Sequence, residues 1–194
     1  MSQELIFALL SSIIFLIWAY PYIRDVLHWK TIPHLFTYVV WLILMSFNCF
    51  VIWNNREWMT LIPSILMWLS VLFWCIYGIP GLRKITINWF DYLCLWSAIL
   101  LIGYWWMTKN ILHTVILTTI VDLIAFLPTF KKWWLQPWTE TIFFYFMWAI
   151  NQILTLFSLS SLGNLENTIF WFYLFFANWI FFLMVAYRRY SLKW

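Results

Sequence analysis

Pro21-Tyr-Ile-Arg-Asp-Val-Leu-His-Trp-Lys-Thr-Ile-Pro-His-Leu-Phe-Thr-Tyr-Val-Val-Trp41 aligns without a gap on Pro128-Thr-Phe-Lys-Lys-Trp-Trp-Leu-Gln-Pro-Trp-Thr-Glu-Thr-Ile-Phe-Phe-Tyr-Phe-Met-Trp148, 107 positions further on. Pro21 meets Pro128, Phe36 meets Phe143, Tyr38 meets Tyr145 and Trp41 meets Trp148, and the basic residues Arg24 and Lys131 coincide. In each copy the proline is expected to close an apolar span, because a ring without an N–H breaks an interior helix; a short basic loop follows, and an aromatic-rich span returns. A shift of 105 sets Trp74 on Trp179, Arg83 on Arg188 and Lys84 on Arg189, the two-residue difference falling in a loop.

Outward from this repeat the chain reads as seven apolar spans, over residues 4–22, 35–53, 59–79, 89–107, 111–129, 139–160 and 167–187. Each is long enough as helix to cross about 30 Å of hydrocarbon. Spans one to three repeat as spans five to seven, and span four is an odd connector. Three is odd, so without that connector the second copy would enter the membrane inverted; with it both copies face the same way. The expected fold is therefore all-α, a polytopic membrane protein with parallel three-helix repeats in a three-plus-one-plus-three order. Its divisions are residues 1–84, a linker helix at 85–109, and residues 110–194.

Charge orients this threading. Of eleven Lys and Arg residues, nine share one face (Arg24, Lys30, Arg83, Lys84, Lys131, Lys132, Arg188, Arg189 and Lys193), against Arg56 and Lys109 opposite. The positive-inside rule then predicts an external N-terminus and a cytoplasmic C-terminus. The first span is not expected to be a cleaved signal peptide, since Glu4 precedes it and basic residues follow. Composition agrees with a membrane class: 65% hydrophobic, 24% aromatic and 9% charged, where a globular domain carries about 25% charged residues. The net charge of +4 fits anionic lipid headgroups rather than nucleic acid. The expected partners are the lipid bilayer and a small polar solute; a homo-oligomer is compatible with such a chain.

No catalytic constellation stands out. Cys49, Cys75 and Cys94 match neither metal nor disulfide spacing and are expected to pack. His28, His34 and His113 are scattered, and neither a metal-ligand cluster nor a phosphate-binding glycine loop occurs. No cofactor and no enzymatic activity are expected. Of the eighteen Trp, those at 18, 53, 58, 89, 105, 106, 133, 134 and 138 fall near span ends, where indoles anchor at headgroups.

Asp122 is the one ionisable residue deep within a span. A carboxylate at a helix centre costs roughly 2.5–3.5 kcal/mol to insert, so it should face protein or water and either pair or hold a proton. Asn151, Gln152, Asn178, Asn48 and Ser70 lie at similar depth on four other spans. They predict a central pocket in which these amides and Asp122 meet a substrate, walled by Trp74, Trp179, Trp148 and Tyr145, with Asp122 coupling protons and Pro21 and Pro128 as hinges. Interhelical hydrogen bonding is the competing reading for each amide. Asp25, His28, His34 and Glu140 could gate the cytoplasmic face or simply pair in solvated loops.

The layout resembles the SWEET and PQ-loop superfamily of seven-helix transporters. Pro21-Tyr22 and Pro128-Thr129 stand where PQ-loop members carry Pro-Gln, and Pro33 is the nearest match to the paired prolines of sugar SWEETs. The stretches Val121–Lys132 and Pro137–Thr141 look closer to small bacterial membrane proteins. The resemblance implies alternating access by a small-solute transporter for a sugar, vitamin or amino-acid-like molecule, in a bacterial plasma (inner) membrane. Asn178 is the residue similar to the substrate-binding asparagine of the seventh span. A non-transporting receptor or scaffold on the same fold is the alternative.

Overall fold

The computed structural model describes residues 2–28, 35–79, 89–135, 137–138 and 142–192, with 128, 129, 131–133 and 135 described by backbone alone. Among them are seven α-helices and no strand: α1 (Gln3–Leu27), α2 (Leu35–Asn54), α3 (Trp58–Gly78), α4 (Trp89–Thr108), α5 (Ile111–Leu135), α6 (Ile142–Phe157) and α7 (Leu165–Ser191). Five of these, α1 to α4 and α7, are long and apolar enough to cross a membrane; α5 contributes a shorter apolar run, Ile111–Leu127, and α6 is itself short.

The polarity of the molecule is that of a membrane-embedded helical protein. Ser11, Thr60, Ser64, Asn151 and Gln152 are fully buried, whereas Leu100 and Met107 are 69% and 85% exposed. Such a distribution is stable only where the surroundings are themselves apolar. The interior is aromatic: Trp18, Trp74 and Trp171 are buried to within 1%.

Helix packing follows a regular pattern. α3 packs on both α1 and α2, and α7 packs on both α5 and α6. α1 meets α6 as α2 meets α5, and α3 touches α6 as α2 touches α7. α4 lies against α2 and α5 with most of its surface open.

At one end the start of α1, the α2–α3 turn, the α4–α5 turn and the α6–α7 turn gather. Phe7 packs on Phe157 (5.3 Å), Phe50 on Trp105 (4.8 Å), and Asn55 bonds to Asn167 (2.7 Å). Arg56 and Lys109 belong to this end and have a local reason to be there. Both adopt left-handed backbone, with φ of 60° and 53°. Arg56 closes α2: its N–H reaches Trp53 O and the Glu57 N–H reaches Ile52 O, both at 3.0 Å. That paired-bond closure usually takes glycine. Here a cation takes it, where it also meets the negative pole of the helix. The Lys109 ammonium rests on Trp105 and Trp106, 4.5 and 3.9 Å from their ring centroids.

Two expectations change. Pro21 does not end α1, which continues to Leu27, nor does α5 stop at position 128, since it runs to Leu135. A proline forfeits one helical hydrogen bond, but the turn beyond Pro21 buries Tyr22 and Val26, and that packing holds it helical. Because α1 extends so far, Trp18 sits inside the molecule rather than at an end. It packs on Phe15, Phe144 and Trp148 at 5.0, 4.7 and 5.0 Å. The indoles at 53, 58, 89, 106, 134 and 138 are exposed near helix ends; Trp133 lies among the residues described by backbone alone.

Candidate functional site

A cavity lies at mid-depth where α2, α3, α5, α6 and α7 converge. α2 contributes Trp41, Leu44 and Met45; α3, Val71; α5, Asp122 and Phe126; α6, Phe144, Tyr145 and Trp148; and α7, Phe170, Leu174 and Asn178. The space open to the centres of water molecules is about 30 Å³, enough for about two waters.

Helical phase decides who reaches it. On α7, Phe170, Leu174 and Asn178 recur at intervals of four and share one face. Trp179 is one residue on, about 100° around the axis, and stands half-buried against Phe146, Phe175 and Phe182 at 5.9, 6.4 and 5.5 Å. Of the residues expected in the pocket, Asp122, Asn178, Trp148 and Tyr145 therefore line one cavity, and Trp179 is turned away from it. Trp74 backs its wall, 5.8 Å from Trp148, and packs on Tyr22 and Tyr38. Asn151, Gln152 and Asn48 are buried outside it.

Asp122 is 2% exposed, and its Oδ2 accepts a 2.9 Å hydrogen bond from Tyr173 Oη. The indole of Trp41 shares the cavity with that carboxylate, although its N–H makes no hydrogen bond of good geometry. Among the described residues the one ion pair is Arg24 with Asp25, at 3.2 Å, so Asp122 has no cationic partner there. The Asn178 side chain donates to Leu174 O of its own helix at 2.7 Å. Trp41 and Trp148, matched by the 107-residue shift, stand with centroids 6.5 Å apart and planes tilted by 52°.

A second polar system runs from the cavity's far side to the end that holds Arg56. Asn151 Oδ1 accepts from Ser11 Oγ at 3.0 Å, and Ser11 Oγ lies 2.8 Å from Thr155 Oγ1. This joins α1 to α6. Ser158, just past the end of α6, donates to Thr60 of α3 at 3.0 Å. At the end itself the buried Glu57 carboxylate accepts from the Ser160 N–H and hydroxyl, both at 2.7 Å, and from the Asn167 amide at 3.3 Å. Gln152 offers its amide to the Met67 sulfur at 3.8 Å, while Gln152 Oε1, Asn48 Oδ1 and Asn151 Nδ2 make no hydrogen bond among the described residues.

Sequence reasoning passed over Trp41, Tyr173 and Glu57. Trp41 was visible as the repeat partner of Trp148. Tyr173 has no sequence signal, because its pairing depends on how α7 lies against α5. Glu57 reads as a solvated loop residue until the α6–α7 turn covers it. At the opposite end Asp25 pairs with Arg24, and His28 Nδ1 lies 2.7 Å from Arg24 O as part of the α1 cap; His34 and Glu140 lie outside the described residues. The three cysteines are free, and no group of three metal-ligating side chains gathers among the described residues. No family model, no curated protein and no solved structure matches the chain.

Proposed function

We propose that the chain is a small-solute membrane transporter working by alternating access, with the central cavity as its binding site and Asp122 as its proton carrier. The observation that carries this reading is the cavity itself. It is lined by a buried carboxylate, a buried amide and two tryptophans that the internal repeat pairs. The matched contacts of α1 with α6 and α2 with α5, and of α3 and α7 within each set of three, support parallel repeats at 1–84 and 110–194 around the linker 85–109. They also support the likeness to the SWEET and PQ-loop fold. The charge distribution supports an external N-terminus and a cytoplasmic C-terminus in a plasma (inner) membrane. In that orientation the external end is held closed by Glu57 and Asn167.

A non-transporting receptor on the same fold is the second reading, favoured by the cavity's room for only about two waters. Accessibility separates the two. In a variant whose three native cysteines are replaced, Leu174→Cys in sealed vesicles should react with thiol reagents added to either face. Reaction from one face alone, under every condition, favours the receptor.

A further inference from the structure

We infer that the solute is a small organic cation whose charge sits on alkylated nitrogen, a quaternary ammonium or an N-alkylpyridinium, rather than a neutral sugar. The inference deepens the transport reading and rests on it for one step, the widening of the cavity.

Three features of the cavity point this way. Asp122 is buried without a cationic partner among the described residues, and a cation brought by the solute would compensate it. Around it stand the rings of Trp41, Phe126, Phe144, Tyr145 and Trp148, whose negative faces attract desolvated organic cations. Polar groups are meanwhile few on a lining made mostly of rings and aliphatic side chains: the Asp122 carboxylate and the Asn178 amide, each with one bond already made, to Tyr173 and to Leu174 O, the Tyr145 hydroxyl, and the indole N–H groups of Trp41 and Trp148. A polyhydroxylated solute would meet ring and aliphatic carbon over most of its surface in such a site, and hydroxyls left against carbon go unpaired. An alkylated nitrogen carries charge but no N–H, so it needs only the carboxylate and the rings. Trp41 and Trp148 belong to opposite halves, so parting the halves opens the space between them to an ion larger than the two waters it now fits.

The test is titration calorimetry and thermal denaturation of the full chain in detergent with tetramethylammonium, choline and N-methylpyridinium, each against its neutral isostere (neopentane-type alcohol, 3,3-dimethylbutan-1-ol, toluene). At least one cation should raise the unfolding midpoint and bind tenfold or more tightly than its isostere. Asp122→Asn, nearly isosteric, should lower that affinity at least tenfold. Trp148→Leu should weaken it and Trp148→Tyr should retain most of it. The inference is overturned if no cation binds at 50 mM, if the isosteres bind equally well, or if Asp122→Asn binds as the parent does. Leu174→Cys accessibility keeps the two claims apart. Access from both faces with no cation bound overturns the cation and leaves transport standing; cation binding with access from one face overturns transport and leaves the cation.

Discussion

Asp122 and Glu57 are both buried carboxylates, and their surroundings assign them different work. Glu57 accepts three hydrogen bonds from Ser160 and Asn167 and is not among the residues lining the central cavity, so its contribution is to stability. A hydrogen bond to a charged group contributes roughly 1.5–3 kcal/mol, and bonds that share one carboxylate do not add in full. Glu57→Ala should therefore lower stability by about 2–4 kcal/mol, and Glu57→Gln, which keeps an acceptor, by much less; denaturation in detergent measures both. Asp122 instead takes one hydroxyl and faces a cavity. Asp122→Asn should fold and be at least as stable as the parent, because it removes a charge that is costly at mid-membrane, yet proton-driven uptake in proteoliposomes should be lost. Normal uptake by the variant would strip Asp122 of its coupling role. The burial of Asp122 was legible in the sequence from depth alone, since an acid so far inside a span must face protein or water. The role of Glu57 was not, because it depends on a turn more than a hundred residues away.

At the scale of the helices, each apolar stretch picked out by hydropathy is a helix, five of the seven long and apolar enough to cross a membrane, and the discrepancies lie at ends and in rotation. Residues after Pro21 are polar enough to look like loop, but Tyr22 and Val26 pack inward and extend α1. Rotation explains the pocket: a span's depth can be counted from sequence, whereas the face each residue presents depends on neighbouring helices. Asn178 and Trp179 are adjacent in sequence, and one lines the cavity while the other packs on Phe182. The prolines inside α1 and at position 128 of α5 leave each helix with a weakened turn. If these turns act as hinges, replacing one trades motion for stability. Pro21→Ala should raise the unfolding midpoint, given a helix-interior cost for proline of about 3 kcal/mol, and should slow uptake several-fold. An unchanged rate would make the proline a tolerated irregularity.

For the whole molecule, the two cations at the end opposite the basic face are each explained by a helix closure or an indole pair, which strengthens the reading of charge as the guide to orientation. Gly163 is open to substitution, since an added Cβ would meet nothing within 4 Å. In sealed cells, Gly163→Cys should react with an impermeant reagent from outside and Lys132→Cys should not; the reverse pattern would invert the orientation. The central claim is that the halves move against each other around the cavity. Dipolar EPR between nitroxides on Asn54→Cys, at the end of α2, and Gly163→Cys, in the α6–α7 turn, measures this in lipid. The account predicts a short and a long separation whose proportions shift when a cavity ligand is added, and a single separation unchanged by ligand and by Asp122→Asn would contradict it.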